Sequence, residues 1–257
     1  MTTTVLVVSA VLVTVVAAAR STWSPCGVSM LATITPLAEA GRGHRYRSTA
    51  LWFVAGAVVG GATLGLALWP LALAVDATGP SPSVVAGLAC GASVLAAASD
   101  LHLGGFALPV HHRQVNERWL DQFRAWVYGA GFGWQIGTGF ATYIKTAAVY
   151  LLVVLAALTA SPWLALALGV LFGLVRGLAV FLGRGITTNA ALTEFHRRLT
   201  ALGPVALGVV VAVEVCGALA FGLALSPWVG LAVALAALTL SVPAAVRVRS
   251  RARAATA

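Results

Sequence analysis

Seven stretches of this chain are apolar over lengths that only a bilayer demands: residues 4–38, 48–75, 83–99, 126–160, 162–183, 203–225 and 226–246. A helix that crosses a membrane needs about 20 consecutive apolar residues, and these runs fill nearly the whole chain. Composition agrees, with 60% of residues in the set AVILMFWYC and 9% charged, against about 45–50% and about 25% in soluble domains. Soluble globular, disordered and disulfide-rich secreted classes are excluded. The expected fold is an all-α polytopic membrane protein in which residues 1–246 form one transmembrane domain and 247–257 a basic tail.

The net charge of +9 would suggest nucleic acid in a soluble chain. Its placement here argues for topology and against nucleic acid. Thirteen of the 16 Lys and Arg fall in four clusters: Arg42, Arg45, Arg47; Arg113, Arg118, Arg124; Arg184, Arg197, Arg198; and Arg247, Arg249, Arg251, Arg253. Short loops that carry cations stay cytoplasmic. The connections Asp76–Pro82, Ser161–Pro162 and Ser226–Pro227 carry none and face outward. Seven spans place the N-terminus outside and the last four arginines inside; six would strand those arginines outside. The expected location is the inner (plasma) membrane, multi-pass, with the lipid bilayer as first partner.

Two runs are too long for one straight crossing. Residues 4–38 and 126–160 would each make a helix of about 50 Å at 1.5 Å per residue, against a hydrocarbon core of about 30 Å. Each carries helix breakers: Pro25 and Pro36 in the first, Gly129, Gly131, Gly133, Gly137 and Gly139 in the second. Both are expected to be broken or re-entrant, which is tolerated only inside protein or beside a polar cavity. Ala17-Ala18-Ala19 looks like a cleavage site. Met1-Thr2-Thr3-Thr4 lacks the positive segment of a signal peptide, so residues 1–19 are expected to stay.

The two runs overlay at an offset of 111 residues: Trp23-Ser24-Pro25-Cys26-Gly27 falls on Trp134-Gln135-Ile136-Gly137-Thr138, and Thr35 on Thr146. Each is followed by two further runs. The expectation is an inverted three-plus-three repeat, about 4–99 and 126–225, with an extra span 226–246. Transporters built this way bind at the midplane between broken helices.

Cys26 follows a proline at the break of the first run. Pro25 removes a backbone hydrogen bond beside the sulfur, so this thiol can meet polar partners. Cys90 and Cys216 sit in uninterrupted apolar runs and read as packing residues. The segment Trp23-Ser24-Pro25-Cys26-Gly27-Val28-Ser29-Met30-Leu31 resembles the first-helix motif of CcdA-type proteins. These are the transmembrane thiol–disulfide carriers of cytochrome c biogenesis that also form the membrane part of DsbD. Gly41-Arg42-Gly43-His44-Arg45-Tyr46-Arg47 and Phe53-Val54-Ala55-Gly56-Ala57 fit the family's next elements, and the resemblance covers roughly residues 15–225. It implies an inverted-repeat six-helix fold, a thioredoxin-like partner, and a catalytic Cys26 that passes reducing equivalents outward.

Two departures matter. The family's second Pro-Cys pair falls on Ile136-Gly137, and the proline usual three residues after the first cysteine is Ser29. Thiol–disulfide exchange passes through a mixed disulfide that a second thiol must resolve, so Cys26 needs a thiol from a partner protein, or from Cys90 or Cys216. Buried charges support an alternative. Glu214 lies at the centre of its run, Arg176 within the fifth and Lys145 within the fourth. Ionisable groups at such depth are costly and mark pathways or pairs. Pairing of Glu214 with Lys145 or Arg176 is the structural expectation, and passage of a small solute or ion through a LysE-like exporter fold is the functional one. Gln135, Thr138, Thr142 and Tyr143 add polar groups near the second break.

Other signals are weaker. Asp100, His102, His111 and His112 match no zinc spacing and read as a solvated loop. Trp119, Phe123 and Trp126 suit an interfacial lead into the fourth run. Gly56, Gly60, Gly61 and Gly65 suit close helix packing. There is no P-loop, nucleotide fingerprint, catalytic triad or haem-attachment sequence, so no cofactor or metal is expected.

Overall fold

The computed structural model describes residues 2–109, 122–140 and 142–237. His111, His112, Arg113, Arg118, Trp119, the end of the predicted seventh span and the basic tail lie outside them. The described residues form helices and short 3-10 turns, with no strand among them. In chain order the helices are α1 (Thr2–Arg20), α2 (Pro25–Thr33), α3 (Pro36–Gly41), α4 (Tyr46–Thr78), α5 (Pro82–Asp100), α6 (Ala125–Gly137), α7 (Ala148–Leu158), α8 (Pro162–Leu178), α9 (Asn189–Leu225) and α10 (Pro227–Ala237). A 3-10 turn, Ser21–Trp23, separates α1 from α2, and another, Ala179–Gly185, prolongs α8. Among the described residues five helices are long and apolar enough to cross a membrane: Thr3–Trp23, α4, α5, Pro162–Gly185 and α9. The protein is a multi-pass membrane protein.

Five Ser-Pro or Thr-Pro pairs set the helix starts. Ser24, Thr35, Ser81, Ser161 and Ser226 each accept a backbone N–H three residues on, and the proline after each stands at the start of the helix. A hydroxyl satisfies one orphan amide, and proline has no amide to waste at the first helical position. Pro25 and Pro36 therefore break the first run by beginning new helices. The fourth run stops at Gly137 and resumes at Ala148, so it supplies two short helices instead of one crossing. Much of the stretch between the fifth and sixth apolar runs is the helical start of α9, which begins at Asn189.

Most of the glycines expected to break the fourth run do something else. A Cβ on Gly133 would sit 2.0 Å from the Phe53 carbonyl oxygen, and one on Gly137 2.1 Å from that of Ala57. These glycines form a flat face against α4. From α4, Gly56 and Gly60 face α6, where a Cβ would meet Ala130 O at 2.0 Å and Trp134 O at 2.2 Å; Gly61 and Gly65 face α8, meeting Gly169 O at 2.3 Å and Leu166 Cα at 2.6 Å. The predicted close packing is present on two faces of one helix. Only Gly139, at φ +70°, takes a backbone conformation suited to the break itself.

Helix α7 is the centre of the larger core. Ala148, Val149, Leu151, Leu152, Leu155, Ala156 and Leu158 are all buried, and α1, α4, α5 and α8 pack around it. A helix apolar on all sides belongs inside, and 11 residues are too short to span a bilayer. The outside is also apolar: Val8 and Leu12 on α1, Leu51, Val59 and Leu66 on α4, Leu88 and Leu95 on α5, and Leu223 on α9 are exposed. Such a surface suits contact with lipid.

Candidate functional site

The first break is a compact turn. Ser24 donates its amide to Ser21 O (3.1 Å), and its hydroxyl accepts from the Gly27 amide (3.2 Å). The turn is so tight that a Cβ on Gly27 would lie 2.4 Å from Thr22 O. Trp23 donates its indole N–H to Leu199 O at 2.6 Å, fastening the break to α9. Trp23, Pro25 and Gly27 thus position the turn that presents Cys26. The sulfur's residue is 2% exposed, in a cluster with Met30, Phe53, Phe132, Ile136, Val180 and Leu199.

The second break, residues 138–147, approaches the first. Thr138 donates to Gln135 O (2.8 Å) and Thr142 to Gly139 O (3.0 Å). Arg176 enters from α8, 3% exposed, and its Nη1 donates to Ile136 O (2.7 Å) and Thr142 Oγ1 (3.1 Å). The Ile136 carbonyl near the end of α6, which also accepts from the Gly139 amide (3.3 Å), therefore has a cationic donor as well. The guanidinium carbon stands 5.6 Å from the centre of the Phe172 ring. Cys26 lies within electrostatic reach of this guanidinium, whose Nη2 is buried without a hydrogen-bond partner. Lys145, itself exposed, donates to Trp23 O at 3.0 Å. The two interrupted runs meet there, with Cys26 and Arg176 behind the contact.

Other expected members stand elsewhere. Glu214 pairs with neither Lys145 nor Arg176: it is fully buried on α9, neither carboxylate oxygen has a hydrogen-bond partner, and Asp100 is the charged group facing it. The two cations are instead drawn to carbonyls at the helix breaks. Trp134 is 42% exposed and bonds Thr63 Oγ1 on the outer side of α4. Gln135 turns back to Gly131 O (3.4 Å), and Gly137 belongs to the α4 seam. The overlaid positions also differ locally, because Cys26 opens a helix where Gly137 closes one. Cys90 packs as expected, donating to Ala218 O (3.4 Å), whereas Cys216 is exposed. No disulfide joins the three cysteines.

Sequence reasoning missed three buried charges. Asp100, expected in a solvated loop, ends α5 at 9% exposure, accepting from Thr146 Oγ1 and from the Ala147 amide (2.7 Å). Arg20, at 8%, faces Asp100, and its Nε and Nη1 have no hydrogen-bond partner. Glu39 is fully buried and accepts from Tyr128 OH, Thr49 Oγ1 and Arg42 Nη1 (3.1 Å). Only seven acidic residues occur in the chain, so each one at the margin of an apolar run was the available signal. Among the described residues no group of His, Cys, Asp and Glu is arranged to hold a metal.

No family model matches the chain, and no solved structure does. It is similar to proteins named methylamine utilization protein MauF. The relative from Methylobacillus flagellatus is 34% identical over 144 residues, 51% of this chain and 47% of that protein. Those from Methylophilus methylotrophus and Paracoccus denitrificans are each 31% identical, across 62% of this chain and 56% and 58% of theirs. The chain spans about half the length of the curated relatives it matches.

Proposed function

We propose that this protein is a membrane-embedded thiol–disulfide carrier of the CcdA kind that uses Cys26 alone, and that it serves methylamine utilization as its relatives' names say of them. The observation that carries the reading is Cys26 at a helix break within electrostatic reach of a buried guanidinium that has an unpartnered donor. Such a donor can take up the charge that passes between sulfurs in disulfide exchange.

The exchange balances with partner thiols. The Cys26 thiolate attacks a disulfide on an outward-facing partner, leaving a mixed disulfide and releasing one partner thiol. A dithiol of a thioredoxin-like partner then attacks the Cys26 sulfur and frees the first partner's second thiol. Its own second thiol releases Cys26 and closes the donor's disulfide. Cys26 is buried, so a partner sulfur reaches it when the breaks part, and the Lys145–Trp23 hydrogen bond is the contact to be released.

The same proposal includes the inverted three-plus-three repeat, the N-terminus outside and the C-terminus in the cytoplasm of the inner membrane. Support comes from the meeting of the two breaks and from equivalent partners across the halves: α4 packs on α8, and α5 on α9. The overlaid threonines both stand near helix starts, Thr35 capping α3 through the Ala38 amide and Thr146 one residue before the N-cap of α7, accepting from the Ala148 amide.

The test is mixed-disulfide trapping in intact cells, with acid quenching and non-reducing electrophoresis. A partner adduct should form in wild type, Cys90→Ser and Cys216→Ser, and vanish in Cys26→Ser. An adduct that survives Cys26→Ser, or a Cys26 that stays reduced under thiol stress, sinks the reading.

A further inference from the structure

A second polar group, Glu214 in the middle of α9 and Asp100 at the end of α5, takes no part in the thiol exchange. Asp100 lies within electrostatic reach of Glu214 and of Arg20 at the end of α1. Glu214 is fully buried and Asp100 is 9% exposed.

The carboxylates differ in what they touch. Asp100 has a partner for each oxygen, Thr146 Oγ1 and the Ala147 amide. Glu214 has a partner for neither. An ionised carboxylate stripped of water and of every donor is among the costliest arrangements a protein interior can hold, and more so in a bilayer. One proton on Glu214 removes that cost and leaves Asp100 as the single negative charge beside Arg20.

We propose that Glu214 is a proton-binding site in the middle of α9, holding its proton while the hydrogen-bonded Asp100 keeps the negative charge. The charged group within electrostatic reach of Glu214 is Asp100 from α5, and Cys90 from α5 bonds Ala218 O one turn along α9. Arg20 from α1 and His102 just beyond α5 act on Asp100. The site does not rest on the reading of Cys26.

Dicyclohexylcarbodiimide, which adds to protonated carboxyls in apolar surroundings, provides the test on the full chain in phospholipid vesicles. Peptide mass spectrometry should find the adduct on Glu214, with yield falling as the medium turns alkaline. Glu214→Gln should lose it, and Cys26→Ser should keep it. Infrared difference spectra between acidic and alkaline pH supply an independent readout: a protonated-carboxyl band present in wild type and missing in Glu214→Gln. Absence of both adduct and band, or a yield and band indifferent to pH, overturns the proposal. Protection by sodium at constant pH also overturns it, because the occupant would then be a metal cation.

Discussion

At the scale of single residues, the breaks are held by groups that only a few side chains can replace. Arg176 supplies two hydrogen bonds to the second break from one nitrogen. Arg176→Gln should destabilise the fold by about 1.5–3 kcal/mol, because it removes buried hydrogen bonds from a charged donor, read as a lowered thermal midpoint in detergent. Gly139 adopts φ +70°, a region that costs a residue with a Cβ roughly 1–2 kcal/mol. Gly139→Ala should lower the thermal midpoint in detergent, with Phe172, 3.1 Å from the added carbon, crowding it further.

At the scale of elements, α4 is the spine. It carries one glycine face toward α6 and another toward α8, and at both the backbones approach too closely for any side chain. Without a hydrophobic drive between helices in lipid, such contact rests on packing and small residues. Gly61→Val should therefore destabilise by at least about 1–3 kcal/mol, the usual range for overpacking, and size-exclusion chromatography should show loss of the monodisperse peak. Gly87 on α5 has nothing within 4 Å of an added Cβ. Gly87→Ala should stabilise by about 0.4–1 kcal/mol through the unfolded chain. Equal effects at the two positions would contradict the seam.

At the scale of the whole molecule, the arrangement is inside-out at its surface and polar at its breaks. Exposed leucine and valine line the long helices, while charged residues such as Arg20, Asp100, Arg176 and Glu214 are buried. The cysteines report this directly, because Cys216 faces outward from α9 and Cys90 is buried against it. A lipid-soluble maleimide should label Cys216 in native membranes, and label Cys90 only after denaturation. Labelling of Cys216 by a membrane-impermeant reagent instead would place that face of α9 in water.

The membrane class, the helical content, the interrupted first and fourth runs and the glycine contacts of α4 were legible in the sequence, because each follows from local apolar length or from a missing side chain. The Ser-Pro and Thr-Pro pairs read as breakers or outward turns, and the structure makes each the start of a helix. The partners of the buried charges were not legible. Lys145, Arg176 and Glu214 all stood out as costly, yet which carbonyl or carboxylate each one faces depends on how α1, α5, α8 and α9 cross. Sequence periodicity is silent on that crossing. Length and hydropathy act along the chain, whereas a buried ion chooses among whatever donors and acceptors the packed helices bring within a few ångströms, and for Glu39 one of these comes from 89 positions away.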